Sequence, residues 1–373
     1  MDKKMIRPIL VAACTLVSVL LVILMVASIG NPGSSVQTDV PDVGILDKFD
    51  MFMTNTISDS LDGILSIEKV YWLNDDDLVA PKPDQSRFLE ADEPEDLQWL
   101  LEENKDLIHG DTMYFDPETT ELMPDTDVLY YYDDTILAIT WKEIHDNSIY
   151  TCSEVFIAHP SQLRRFLAGG EYGSEKQFIT TEMAQSVNAV VASSGDFYRF
   201  RNYGTIVYDG KVQRINSSRV DTCFIDDKGD MIFTYRGEIT DFEEAQKFVD
   251  ENNIRFSMAF GPILVDDGQR CEPEDYILGE VLEPFPRAAL CQMGKQHYLL
   301  MVANWAYPYV QTPDIHRFAR HVAATGCEKA YTLDGGQTAV IAMNGTLINS
   351  VHFGYQRRIS DIFYFATAVP DGG

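Results

Sequence analysis

The sequence predicts an α+β fold, a mixed β-sheet domain with interspersed helices, preceded by one N-terminal transmembrane helix. Three observations lead there. Strand-like runs rich in Val, Ile, Tyr and Phe recur from Val128 onward, and a few helical patterns are interspersed among them without strict alternation. Residues 9–29 are uncharged and almost wholly apolar, long enough as a helix rising about 1.5 Å per residue to cross a hydrocarbon core of roughly 30 Å. The 373 residues are 45% apolar and 11% aromatic, which supplies a core for one large or two ordinary domains and excludes a disordered or fibrous chain.

Residues 1–8 form a short tail carrying Lys3, Lys4 and Arg7, and the first basic residue after the apolar run is Lys48. The positive-inside rule therefore puts the tail in the cytoplasm and everything from about Gly30 outside it. A cleaved signal peptide is the alternative, but the apolar run exceeds the usual stretch of about 7 to 15 residues, which favours an anchor. Residues 30–45, with Asn31-Pro32-Gly33-Ser34-Ser35, read as a flexible stalk. Residues 46–136 read as an acidic α/β region, since positions 41–134 hold 26 acidic and 5 basic residues, including Asp75-Asp76-Asp77 and the run from Glu93 to Asp96. Clustered carboxylates suit a hard cation such as calcium, yet no EF-hand loop pattern is present, so a solvated face is the simpler reading and no metal is assigned.

Leu97, Leu100, Leu101 and Leu107 have helical spacing, and Val128 to Trp141 reads as two strands. Further helices are expected over Pro160 to Ala168, over Asp241 to Asn253 behind the capping pair Thr240 and Glu243, and over Pro313 to Thr325, which stops at Gly326. Strands are expected at Tyr150 to Ala158, Ala189 to Ser193, Thr205 to Val207, Met231 to Tyr235, Ala288 to Gln292, Tyr298 to Ala303 and Ala330 to Leu333. Thr338 to Met343 and Thr346 to Asn349 flank Asn344-Gly345, the signature of a type I′ hairpin, and Ile362 to Thr367 alternates as a last strand.

Charge and motifs remove several functions. With 29 Lys and Arg against 58 Asp and Glu, a net charge of −29, nothing offsets repulsion from nucleic-acid phosphates, so no nucleic-acid partner is expected. Cys14, Cys152, Cys223, Cys271, Cys291 and Cys327 form no C-x-x-C, which excludes a zinc ribbon and a thioredoxin-type site. The G-x-S-x-G, H-E-x-x-H and Walker patterns are absent as well.

Chemistry is therefore sought where glycine and a charged or polar residue follow a strand. Ser193-Ser194-Gly195-Asp196-Phe197-Tyr198, Phe260-Gly261-Pro262 and Leu333-Asp334-Gly335-Gly336-Gln337-Thr338 are such stretches. Two glycines after an aspartate turn the chain tightly, and their N–H groups can form an anion nest beside a carboxylate. Gln356-Arg357-Arg358-Ile359-Ser360-Asp361 and Arg287 add guanidinium forks suited to phosphate. Taken singly, each has a bland alternative: a turn at Gly335-Gly336, a solvated pair at Arg357-Arg358, an ordinary loop at Ser194-Gly195.

Their order is specific. From about Leu137 to Phe365 the chain resembles the phosphodiester glycosidase family, through Glu154-Val155-Phe156-Ile157-Ala158-His159-Pro160-Ser161-Gln162-Leu163, Thr180-Thr181, Met183-Ala184, Asn188-Ala189-Val190, Gly195-Asp196-Phe197-Tyr198, Gly261-Pro262, Arg287-Ala288-Ala289, Leu333-Asp334-Gly335-Gly336, Asn349 and Arg358-Ile359-Ser360-Asp361. The resemblance marks 137–373 as the family-like domain. Three places depart from the family pattern: Ser194-Gly195 stands where Asn-Gly is common, Asn304-Trp305 where Asp-Gly is, and Asp334-Gly335-Gly336-Gln337-Thr338 where Asp-Gly-Gly-Gly-Ser is.

The resemblance implies hydrolysis of a sugar phosphodiester at the anomeric carbon, giving free sugar and a phosphomonoester, with no cofactor. Phosphate is a good leaving group, so charge neutralisation matters more than a strong acid. Arg287 and Arg358, with Arg357, would hold the phosphate, and the amides of Gly335 and Gly336 would add donors. Asp334, with Asp196 second, would serve the oxocarbenium-like centre. Ser194, Gly195, Asn304, Gln337 and Thr338 would line the pocket. Losing a charge at Asn304 and gaining a side chain at Gln337 also fit a non-catalytic envelope protein that binds phosphate-linked glycans, and an envelope interaction module using its acidic segment is a third reading.

Overall fold

The computed structural model describes residues 73, 78–91, 94–108, 113–271, 282–304 and 311–369. The expected tail, membrane span and stalk, together with Asp75-Asp76-Asp77, Glu93 and Trp305, lie outside them. Among the described residues no helix is long and apolar enough to cross a membrane.

Strands dominate, with a few helices, as the α+β reading expects. Among the described residues every strand ladder is antiparallel, where a mixed sheet was expected. The physical reason is in the connections: parallel neighbours need a crossover of a dozen or more residues, whereas strands such as Val128–Asp133, Ile136–His145 and Ser148–Ile157 follow one another through tight turns. A nine-stranded sheet runs in the order Phe88–Ala91, Val128–Asp133, Ile136–His145, Ser148–Ile157, His297–Ala303, Arg287–Gly294, Lys329–Leu333, Ile263–Asp266 and Gln269–Arg270. A five-stranded sheet runs Thr346–Leu347, Ile341–Met343, Val191–Ser194, Asp361–Phe365 and Leu163–Leu167. Three further strands, Met231–Thr234, Thr222–Asp226 and Ile254–Met258, make a small sheet beside them.

Three apolar layers hold these together. The inward faces of the large sheets meet through Val155, Leu290, Leu300, Tyr331, Val191, Ile341 and Phe363. The other face of the nine-stranded sheet is covered by helices Pro94–Glu103 and Ile315–Ala324, which bury Leu97, Leu100, Phe318 and Val322. The outer face of the five-stranded sheet packs Ile362, Tyr364 and Phe166 under Met183 and Ala184 of helix Thr180–Ser186.

Sequence periodicity located most of these elements. Asn344 and Gly345 both have positive φ, 50° and 66°, as a type I′ turn requires. Helices Phe242–Glu251 and Ile315–Ala324 form where expected, but the caps are Asp241 and Asp314, whose carboxylates accept from the N–H groups of Glu244 and Arg317; Thr240 does not cap the first. The helix expected over Pro160 to Ala168 is a correction: Pro160–Gln162 is one 3-10 turn and Leu163–Leu167 is a strand. All five strand residues are buried and paired with Asp361–Phe365, so tertiary pairing overrides the helical spacing of a short apolar run. Helix Thr180–Ser186 and strands Thr222–Asp226, Ile254–Met258 and Ile263–Asp266 carried no clear periodic signal and were not anticipated.

The last strand, Asp361–Phe365, lies inside the five-stranded sheet, pairing Val191–Ser194 on one side and Leu163–Leu167 on the other. A chain ending at Ser360 therefore loses two ladders and the buried Ile362, Phe363, Tyr364 and Phe365. It is expected to show no cooperative unfolding transition by circular dichroism; an unchanged melting temperature would show the strand to be dispensable.

Candidate functional site

The site grows from one buried charge cluster. Arg165 sits mid-strand in Leu163–Leu167 and pairs across the ladder with Phe363, whose ring it overlies at 5.4 Å; Tyr198 faces it at the same distance. Its Nε and Nη2 reach Asp361 Oδ2 at 2.9 and 2.8 Å, Nη2 lies 3.7 Å from Asp196 Oδ2, and Nη1 donates to the Ser257 carbonyl. One guanidinium thus faces two carboxylates, all three side chains removed from water. Burial pushes the Asp361 carboxyl up to about 7, against the pull of Arg165 and reinforced by Asp196.

This cluster fixes the first glycine stretch. The Asp196 N–H donates to both Asp361 oxygens at 3.2 Å, Gly195 N donates to the Asp361 carbonyl, and Asp196 Oδ2 accepts from Ala259 N at 2.7 Å. A Cβ on Gly195 would fall 2.3 Å from Asp361 Oδ2, so only glycine allows the carboxylate so close to the backbone. Asp196 Oδ1 is buried with no hydrogen-bond partner among the described residues.

The same loop holds Asp334. The Asp334 N–H donates to the Gly195 carbonyl at 3.0 Å and Ser194 Oγ donates to the Asp334 carbonyl at 3.1 Å. Lys329–Leu333 pairs with Arg287–Gly294 so that Leu333 is opposite Ala288, which sets Asp334 at the end of that ladder. Gly336 N then donates to the Pro286 carbonyl at 2.8 Å, and a Cβ on Gly335 would lie 2.6 Å from that oxygen. Burial pushes the Asp334 carboxyl up to about 6, opposed by Arg357, Thr338 and Arg201 and reinforced by Asp196. Arg357 Nη2 meets Asp334 Oδ2 at 2.7 Å, and its guanidinium lies over Phe197 at 5.0 Å. Arg201 stacks on Phe260 at 4.6 Å and faces Phe197 at 5.7 Å. Two carboxylates, two guanidiniums and two rings therefore converge where the ends of the two large sheets meet.

Of the residues expected from sequence, Ser194, Gly195, Asp196, Asp334, Gly335, Gly336, Thr338 and Arg357 come together here. Thr338 Oγ1 donates to the Gly335 carbonyl at 2.7 Å, holding the turn. Gln337 is at the surface, its amide reaching the Tyr355 carbonyl at 3.4 Å. Asn304 is buried and accepts from Thr151 Oγ1 at 2.9 Å. Arg287 begins its strand beside the Asp334 turn, is buried, and donates to the Glu283 carbonyl; burial lowers its pKa to about 10, against Asp314. Arg358 is exposed and donates to the Gln177 carbonyl at 2.9 Å, so its neighbour Arg357 is the one that reaches Asp334. Arg165, Arg201 and Asp361 were missed as site residues. Adjacent arginines inside the apolar Leu163–Leu167 run were the available signal for Arg165, and a charged residue in the last strand was the signal for Asp361. Among the described residues no group of three or more His, Cys, Asp or Glu is placed to hold a metal ion.

Asp361 is more protonated folded than unfolded between about pH 4 and pH 7, so its contribution to stability falls as pH rises through that window. The unfolding free energy of wild type minus that of Asp361→Asn, from urea titrations, should therefore decline from pH 4 to pH 8. Arg165→Leu leaves both carboxylates without their cation and should cost about 3–5 kcal/mol by the same measurement.

The phosphodiester glycosidase family model matches residues 187–366, which bears out the resemblance over that stretch. The catalytic domain of zebrafish N-acetylglucosamine-1-phosphodiester alpha-N-acetylglucosaminidase, auto-inhibited by its pro-peptide, has a similar fold, with TM-score 0.50 and 17% identity over 66% of this chain and 86% of that one. A hypothetical protein from Synechocystis is similar with TM-score 0.50 and 13% identity over 64% of each chain. No curated protein matches the sequence.

Proposed function

We propose that this chain is a membrane-anchored, extracytoplasmic hydrolase that cleaves glycosyl phosphodiesters at the anomeric carbon. The observation that carries the chemistry is the contact between Asp334 and Arg357, a buried carboxylate and a guanidinium 2.7 Å apart at the end of the family-matched ladder. A sugar-1-phosphodiester has one centre that becomes positive and one group that leaves as an anion, and this pair offers a charge to each. A water oxygen bonds to the anomeric carbon, the bond from that carbon to the bridging oxygen breaks with its electrons staying on that oxygen, which leaves as part of the phosphomonoester, and the water proton passes to a carboxylate. Asp334 is assigned to the glycosyl centre, with Asp196 as the second carboxylate because its Oδ1 is buried and unpartnered among the described residues. Arg357 binds the phosphate, with Arg201 beside it, in place of the Arg358 expected from sequence. Arg287 supports the Gly335-Gly336 turn from the neighbouring strand end.

The anchor and the topology rest on residues 9–29 and on the basic residues confined to their N-terminal side. Residues 1–8 are the cytoplasmic tail, 30–45 the stalk, 46–136 the acidic region and 137–373 the glycosidase domain. Protease added to intact cells should degrade the domain and spare a tag at Met1; protection of the whole chain would overturn the topology.

The catalytic assignment is read from kinetics on a chromogenic sugar phosphodiester. Asp334→Asn should lower kcat by about 10²–10⁴-fold with little change in KM, while Arg357→Ala should also raise KM. Because the Asp334 carboxyl is pushed up to about 6, kcat/KM should fall below pH 6 and not only below pH 4. Wild-type binding without turnover would establish a non-catalytic glycan-binding protein, and full activity in Asp334→Asn would remove that residue from the chemistry.

A further inference from the structure

Away from the charge cluster, two thiols meet beside helix Ile315–Ala324. Alternation along strand Arg287–Gly294 turns Ala289, Cys291 and Met293 toward the helix-covered layer, with Ala330 opposite Cys291 in the ladder. Cys327 lies in the turn that leads from the helix into Lys329–Leu333, and that turn is fastened to the same strand. Thr325 Oγ1 reaches Met293 Sδ at 3.9 Å and accepts from the Cys327 N–H at 3.3 Å, while the Glu328 N–H donates to the Gln292 carbonyl at 2.9 Å. Both thiols are buried in this one apolar layer. Cys291 Sγ donates to Cys327 Sγ, which pulls the Cys327 thiol down and pushes Cys291 up, and Cys327 Sγ in turn donates to the Val322 carbonyl at 3.6 Å.

The other described cysteines stand elsewhere. Cys152 is two strands from Cys291, with His297–Ala303 between them, so about 10 Å of sheet separates the pair where a disulfide tolerates a Cα separation of up to about 7 Å. Cys223 is buried in the layer between the large sheets, and Cys271 packs against that layer from its edge. We propose that Cys291 and Cys327 are joined by a disulfide in the native protein, a covalent clip between a strand of the large sheet and the end of helix Ile315–Ala324. This rests on the extracytoplasmic reading, because the cytoplasm keeps such thiols reduced. The oxidant is itself a disulfide, that of a dithiol oxidase or of oxidised glutathione. The Cys327 thiolate attacks one of its sulfurs and displaces the other; Cys291 gives up its proton, attacks the Cys327 sulfur of the mixed disulfide and displaces the second. Two protein thiols are oxidised, one disulfide is reduced to two thiols, and the two protons end on the departing sulfurs. The exchange takes place during folding, before the helix closes over both sulfurs. The clip fixes one end of the ladder between Arg287–Gly294 and Lys329–Leu333, whose other end sets Asp334 beside Arg287.

The full chain, purified in detergent without reductant, is unfolded, alkylated with iodoacetamide and mapped by mass spectrometry. The expected map links the peptides carrying Cys291 and Cys327 and shows Cys152 and Cys223 alkylated. The same chain, reduced in denaturant and refolded with reduced and oxidised glutathione, should form the same link and melt about 5 °C above the chain refolded under dithiothreitol. Cys291→Ala should melt alike under both conditions. Alkylation of both cysteines after glutathione refolding, or a link from either to Cys152, overturns the proposal. Where the refolded chain is linked and the cell-derived chain is not, protease added to intact cells separates the causes: a protected domain overturns the location and not the pairing, and a degraded domain overturns the native disulfide.

Discussion

The ion pair between Arg165 and Asp361 is the constraint on which the rest of the site depends. Each side chain is fully enclosed, Arg165 in the middle of its strand and Asp361 at the start of its own, where an apolar residue would be cheaper. Removing a charge from water costs several kcal/mol per ion, so such a pair adds little net stability and is costly only to break. What it provides is position. Asp361 accepts the Asp196 N–H, the adjoining Gly195 carbonyl accepts the Asp334 N–H, and Ser194 holds the Asp334 carbonyl. Asp334 is thus hung from a chain of hydrogen bonds whose fixed end is one guanidinium.

Close backbone approach is the second constraint. At the strand ends the backbone passes close to its neighbour within each sheet, Gly195 against Asp361 and Gly335 against the Pro286 carbonyl, and neither place leaves room for a side chain. A methyl group at either would strike an oxygen of the opposite element. The fold thereby converts packing geometry into electrostatics: carboxylates that would repel each other in water are held in one buried cluster, and burial pushes the Asp334 and Asp361 carboxyls up to about 6 and about 7.

Much of this was legible in the sequence because local rules and tertiary structure agreed. Asn344-Gly345 between apolar runs, the capped helices at Phe242–Glu251 and Ile315–Ala324, and the alternation of Ile362 to Thr367 each name their element. The Ser194-to-Tyr198 and Asp334-to-Thr338 stretches were found because glycine beside a carboxylate after a strand is informative about chemistry. Legibility ended where a contact spans the chain. Leu163 to Leu167 has apolar residues at a spacing that suits a helix, and only the partner strand almost 200 residues away makes it a strand. Arg357 and Arg358 are adjacent in an irregular segment, so spacing alone could not separate the residue that meets Asp334 from the one that meets Gln177.

The antiparallel order of the five-stranded sheet also governs when the site comes into being. Its inner strand, Asp361–Phe365, is the last of the described strands, and both its neighbours are made much earlier. As the chain leaves the ribosome, Arg165 and Asp196 must wait for nearly 200 and 165 further residues respectively before their common carboxylate partner appears. Until residue 365 has emerged, the sheet has a strand-wide gap and Arg165 has no reason to be buried. Assembly of the charge cluster is therefore a late event in biosynthesis, and a chain crossing a membrane as it is made would arrive on the far side with this cluster still unbuilt.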